Sequence, residues 1–170
     1  MLEPLGLAEI CLRLLAALAL CAPIGLEREA RDHAAGLRTN MLVGLAAATF
    51  AIINALLVAE LGGVASDEGA LEINVDPLRL IEAVTGGVAF LAAGLIVFAR
   101  GRVHGLTTGA SMWLSAAIGL ASGLGQWVVA VPAAIAGVAV LAGVRALERG
   151  LGIRGKRRYD RSGGGGETDE

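Results

Sequence analysis

The sequence predicts an all-α protein that crosses a membrane with five helices, its N-terminus outside and its C-terminus in the cytoplasm. Three observations lead there. Hydrophobic residues make up 55% of the 170-residue chain, alongside 25 glycines, and the mean hydropathy is +0.69, too apolar for a soluble domain of this size. The charged residues, 18% of the total, fall in short clusters between uncharged runs of membrane-spanning length. Lys and Arg outside those runs number three in the first connector, one in the second, two in the third and none in the fourth, followed by a strongly basic tail. Short cytoplasmic loops are enriched in Lys and Arg, so this alternation sets the orientation, whereas the net charge of −2 does not.

The first helix is placed at about Leu5 to Leu26. Glu9 and Arg13 stand four apart with the acid first, the favourable order for a helical pair. They are read as lying at the outer headgroup boundary with their charged ends reaching water, and a pair turned inward is the alternative. Glu9, Arg13, Ala16, Leu20 and Glu27 are assigned to one face, and Pro23 is expected to kink the inner end. Cys11 and Cys21 lie ten residues apart, about 15 Å along a helix, too far to pair within one molecule. Both are read as small buried hydrophobes. No basic cluster precedes the run, so it is read as a retained span and not as a cleaved signal.

Gly25 to Asn40 carries seven ionisable residues between two apolar runs, and is expected to be a cytoplasmic surface loop. Helix two runs from Leu37 or Asn40 to Leu61. Asn40, Gly44, Ala47, Ala51 and Asn54 form a small and polar stripe on it, with Asn54 expected to hydrogen-bond a facing helix. Residues 62–79 form an acidic external loop whose Asp67, Glu68, Glu72 and Asp76 match no compact oxygen-ligand pattern. No metal-ligand set is identified. Asp76 as N-cap and Pro77 at the first position start helix three, which is placed at Pro77 to Ala99.

On helix three, Glu82, Gly86, Ala89 and Ala93 share a face, with Glu82 expected at the outer boundary in contact with water. Arg100, Arg102 and His104 make a tight cytoplasmic loop, and Gly101, Gly105 and Gly109 allow a smooth entry to helix four at Leu106 to Leu124. Thr108, Ser111, Ser115, Gly119 and Ser122 form a third small and polar stripe there, and Gly119 with Gly123 gives a GxxxG spacing. A break at Gly123 to Gln126 leads to helix five, Trp127 to Leu147, with Trp127 as an interfacial anchor. Residues 1–149 are thus one transmembrane domain. Residues 150–170 are a tail, basic and then Gly-rich, expected to be disordered and to lie against anionic headgroups rather than nucleic acid.

Several ordered motifs resemble those of the MgtC/SapB membrane proteins: Gly25-Leu26-Glu27-Arg28-Glu29, Gly36-Leu37-Arg38-Thr39, Asp76-Pro77-Leu78-Arg79, Gly87 to Gly94, and Gly105 to Gly125. Ala92 stands where the family usually has Gly, and Gly109 where Ala is commoner. The soluble C-terminal domain of many members is expected to be missing. The resemblance implies an inner-membrane protein tied to magnesium homeostasis, low-magnesium growth and, in pathogens, survival inside host cells. It also implies regulation of membrane complexes such as the F-type ATP synthase, and a homo-oligomer is expected. The functional motif it marks is Glu27, Arg28, Glu29, Gly36, Arg38 and Thr39. Glu27 is surplus to a purely orienting loop, and is expected to pair with an Arg of its own loop or of Arg100 to Arg102, fixing the cytoplasmic ends of helices one to three.

No nucleotide loop or nucleophile–base set is present, so neither an enzyme nor a cofactor is expected. The polar groups inside spans are Glu9, Arg13, Asn54, Glu82, Thr107, Thr108 and Ser111. The leading expectation is a regulator that contacts partner helices through its glycine- and serine-rich faces. The alternative is a conduit for Mg²⁺ or H⁺, in which Glu82, Asn54, Thr108 and Ser111 line a path between helices two, three and four. A passive scaffold or assembly subunit is a third reading. A transporter is expected to show internal repeats or paired broken helices, and neither is found.

Overall fold

The computed structural model describes residues 5–64, 78–99 and 102–150. Five helices appear in order: α1 Leu7–Glu29, α2 Leu37–Val64, α3 Leu78–Leu95, α4 Leu106–Gly123 and α5 Trp127–Gly150. Between α3 and α4 lies a small antiparallel hairpin, β1 Val97–Ala99 with β2 Arg102–His104, pairing Val97 with His104 and Phe98 with Val103. α1, α2 and α3 are each long and apolar enough to cross a membrane, and the apolar part of α5, Trp127–Gly143, is shorter. α1 and α5 run unbroken past Pro23 and Pro132.

α4 is the axis of the bundle. It packs against each of the other four helices, and most of its residues are buried. Its tightest seam is with α2, and three rungs spaced four residues apart set the register. Ser115 Oγ donates to Asn40 Oδ1 at 2.9 Å. One turn on, a Cβ at Gly119 would run into the main chain of Gly44, 2.7 Å from its Cα. A further turn on, a Cβ at Gly123 would stand 2.7 Å from the Cα of Ala48. Every pair is offset by the same number of residues, so the two helices run parallel with their backbones in contact. Only glycine permits that approach, which is the use membrane helices make of small residues.

α1 lies antiparallel along this pair. Its buried stripe is Ala17, Cys21, Ile24, Gly25 and Arg28, and the Cys21 thiol donates to the Ser115 carbonyl at 3.4 Å. Cys21, Ile24, Ile118 and Ala134 form an apolar cluster joining α1, α4 and α5. A second cluster, Ala47, Val88, Met112 and Ala116, joins α2 and α3 to α4, and a groove of about 380 Å³ lies open between α2 and α3. Val88 is the only residue of α3 that is buried.

Four expectations change. Helix one does not stop at Leu26, because Glu27, Arg28 and Glu29 form its last turn, so the connector shrinks to residues 30–36. Helix three ends at Leu95 instead of Ala99, and Val97 to Ala99 turns into a strand. Val97, Phe98 and Ala99 pair there with His104, Val103 and Arg102, as β-branched and aromatic residues favour. Cys11 is exposed, and only Cys21 is buried. Helix five continues past Leu147 to Gly150. The acidic loop and its Asp76-Pro77 start, Arg100 and the basic tail beyond Gly150 lie outside the described residues.

Candidate functional site

At the end of the bundle where α1 passes to α2, the charged block folds into a cluster that joins four helices. The stripe Ala17, Cys21, Ile24 and Arg28 repeats at helical spacing, so the turn that buries Ile24 also carries Arg28 inward. Arg28 is 2% exposed. Its guanidinium donates to Thr108 Oγ1 at 2.8 Å and, more weakly, to Thr107 Oγ1 at 3.4 Å, both in the first turn of α4. Glu27, one residue earlier, forms an ion pair with Arg31 one turn later; the two side chains are 10% and 16% exposed. The pair is held by charge, since neither Glu27 oxygen nor Arg31 Nε has a hydrogen-bond partner among the described residues. Arg31 also donates to the Leu141 carbonyl of α5 at 3.1 Å. One turn of α1 is thus fastened to α4 and to α5.

The rest of the block positions α2. α1 ends in a tight turn with Asp32 in the left-handed region (φ 54°), a conformation that Asp tolerates. Glu29 then accepts the Leu37 backbone N–H at 2.7 Å, placing a carboxylate at the start of α2, where the free N–H groups and the helix dipole favour it. A side chain at Gly36 would push that carboxylate aside. Asn40 is fully buried: its amide donates to the carbonyls of Ala35 at 3.1 Å and Gly36 at 2.9 Å, while its oxygen receives Ser115. Arg38 is exposed, and with Glu29, Asp32, His33 and Thr39 it lines a polar surface hollow of about 550 Å³.

Family comparison bears directly on this block. A model of the MgtC family matches residues 14–150, which takes in the whole cluster and all of α2 to α5. The chain belongs to the MgtC family. It is 38% identical to YhiD of Escherichia coli (strain K12), named as a candidate magnesium transporter, over 71% of this chain and 53% of that protein. It is 36% identical to the protein MgtC of Brucella abortus (strain 2308) over 92% of this chain and 59% of that one. With the protein MgtC of Salmonella typhimurium (strain 14028s) the identity is 39% over 73% of this chain and 47% of that one. The chain therefore spans about half the length of these relatives. No solved structure matches it.

The remaining polar residues of this MgtC-family chain divide between the two ends of the bundle. At the opposite end Arg13 turns inward, while Glu9 stays half exposed. It donates to Glu9 at 2.7 and 3.0 Å and to the Gly123 carbonyl at the end of α4 at 2.9 Å. Turning Arg13 inward satisfies a C-terminal carbonyl of α4 with a cation, the sign the helix dipole favours there. Asn54 is half-buried and makes no side-chain hydrogen bond among the described residues; the interhelical bond expected of it is made by Asn40 instead. Glu82 is exposed on α3. Ser111 is buried, donating to the Thr108 carbonyl at 2.8 Å.

Glu27 does find an Arg of its own block, but that Arg links to α5 and not to α3. Sequence reasoning did not place Arg31, Asn40 or Ser115 among the site residues. The signal for Arg28 was present: it continues the Ala17, Cys21, Ile24 period, one position off the stripe chosen for helix one.

Proposed function

We propose that this chain is a non-catalytic, multi-pass protein of the bacterial inner membrane that serves magnesium homeostasis and low-magnesium adaptation by contacting other membrane proteins through its helices. Membership of the MgtC family and the magnesium in the YhiD name support the physiological setting. All five helices are taken to span the membrane, with the Glu27 to Asn40 block inside, on the Lys and Arg distribution. A thiol reagent applied outside intact cells should fail to label His33→Cys in a Cys11→Ser background, and efficient labelling would reverse that orientation.

One observation favours the regulator over the conduit. The space between α2, α3 and α4, where a polar path would have to run, is walled by Ala47, Val88, Met112 and Ala116 with Val43, Val84 and Leu120 around them, and the groove of about 380 Å³ that opens between α2 and α3 is lined by apolar residues throughout. The four path residues do not converge. Thr108 lies at the end of the bundle where Gly109 meets Ala92 of α3. Glu82 stands ten residues before Ala92, about 15 Å away along the helix. Ser111 and Thr108 are engaged with each other and with Arg28. An apolar lining of this kind offers an ion nothing to replace its water, so its desolvation there is prohibitive.

Purified protein in liposomes should therefore pass neither Mg²⁺ nor H⁺ above the leak of empty vesicles. A flux that Glu82→Gln abolishes without altering fold or oligomeric state would replace the regulator with the conduit.

A further inference from the structure

We propose that the N-terminal end of α4 and the groove between α4 and α5 hold one phospholipid, with its phosphate at Arg28 and Thr107 and an acyl chain in the groove. The first observation is an electrostatic mismatch. α4 begins at Leu106 behind Gly105, which provides no side-chain cap, and the first helical bond at this end is from the Gly109 N–H to the Gly105 carbonyl at 2.9 Å. The N–H groups of Leu106, Thr107 and Thr108 thus precede the helical ladder and face outward with the positive end of the dipole. A guanidinium is the wrong charge for that place. Yet Arg28 is buried against it, bonded only to the Thr107 and Thr108 hydroxyls among the interactions found, and its Nε has no partner among the described residues.

The opposite end of α4 supplies the control. There Arg13 meets a carbonyl and carries its own carboxylate, Glu9. At the Arg28 end, Glu27 is paired with Arg31, so these three residues hold two positive charges and one negative. The surplus cation, a nearly buried guanidinium and a row of free N–H groups all call for an anion. Phosphate suits both the fork of an arginine and a helix N-terminus.

The second observation identifies the source of the phosphate. A groove of about 400 Å³ opens at Thr107 and Leu141, the residues whose side chain and carbonyl receive Arg28 and Arg31, and runs between α4 and α5 past Ala110 and Ala136 to Leu114. From Thr107 to Leu114 it follows two turns of α4, about 10 Å. Apart from Thr107 and Ser111 its walls are aliphatic. An apolar trough that starts at an anion site fits a lipid, while a free phosphate has no use for it. This inference holds whichever face of the membrane the cluster occupies, and it is independent of the regulator reading.

Native mass spectrometry of the delipidated full chain tests it, using dioleoylphosphatidylglycerol, glycerol 3-phosphate and dioleoylglycerol as separate probes. The expected result is one phosphatidylglycerol retained per chain, with either fragment held at least about tenfold more weakly, the range of a charge-assisted contact. Arg28→Gln should weaken lipid retention by about tenfold or more. Ala136→Leu, which fills the groove from an exposed position, should weaken the lipid without changing glycerol 3-phosphate. Equal retention of phosphatidylglycerol and dioleoylglycerol would reduce the site to a greasy surface and overturn the proposal. Glycerol 3-phosphate bound as tightly as the lipid would assign the site to a soluble anion instead. Should Arg28→Gln fail to fold, Ala136→Leu and the three probes decide alone, and unchanged lipid binding in Ala136→Leu contradicts the proposal.

Discussion

The α2–α4 seam and helix α3 are built from the same small residues and use them in opposite ways. Along the seam Gly119 and Gly123 touch main chain, and Asn40 and Ser115 meet across it. On α3, Gly86, Gly87 and Gly94 have nothing within 4 Å of where a Cβ would stand, and Phe90 is 80% exposed. The seam is closed within the chain, whereas the α3 face is open. Since lipid tails are as apolar as leucine, close packing between helices comes from shape and hydrogen bonds. A glycine face that no described residue covers is therefore available to a neighbour in the membrane in a way that the seam is not.

Breaking the seam should have the largest effect. Gly119→Leu drives a side chain into the Gly44 backbone, which has no flexible end to move aside. The loss is expected to be about 3 kcal/mol or more, seen as collapse of the monodisperse yield in detergent and a lowered thermal midpoint. Survival with wild-type stability would mean that α2 and α4 are not in backbone contact.

The charged cluster comes next, because it ties the seam to α1 and α5. Glu27→Ala leaves Arg28 and Arg31 without their counter-charge in a largely buried place, at a loss of about 3 kcal/mol. Glu27→Gln keeps the shape and should lose less. Equal stability of the Ala variant and the wild type would mark the cluster as a solvated face.

A smaller effect sharpens the register. Asn40→Ala and Ser115→Ala, alone and together, form a double-mutant cycle whose coupling should be about 0.6 kcal/mol, the usual size for an interhelical bond in a membrane protein. Zero coupling would move the two residues to different rungs.

The helices were legible because apolar runs of spanning length are local signals. Each predicted helix overlaps an observed one, with ends shifted by a few residues. The small stripes were legible too, but not what each would face. Asn40 with Gly44 and Ser115 with Gly119 were picked out on their own helices, and no local pattern states that they meet. The hairpin was missed because Val97-Phe98-Ala99 reads as a continuation of an apolar helix, and periodicity cannot separate the two over three residues. Arg28 was read as a loop charge because its burial depends on where the first turn of α4 lands, a long-range fact. The partner of Arg13 was hidden for the same reason, since the Gly123 carbonyl that receives it lies far along the chain.

The most direct measurement takes the open face alone. A Cβ at Gly86 would have no atom of the described residues within 4 Å, so Gly86→Leu should stay within about 0.5 kcal/mol of wild-type stability. It should be assayed for growth in low magnesium, at matched abundance in the membrane, in cells that depend on this protein. If α3 presents the contact surface, the variant folds normally and growth is lost. Full growth of Gly86→Leu would contradict that assignment and return α3 to a lipid-facing wall.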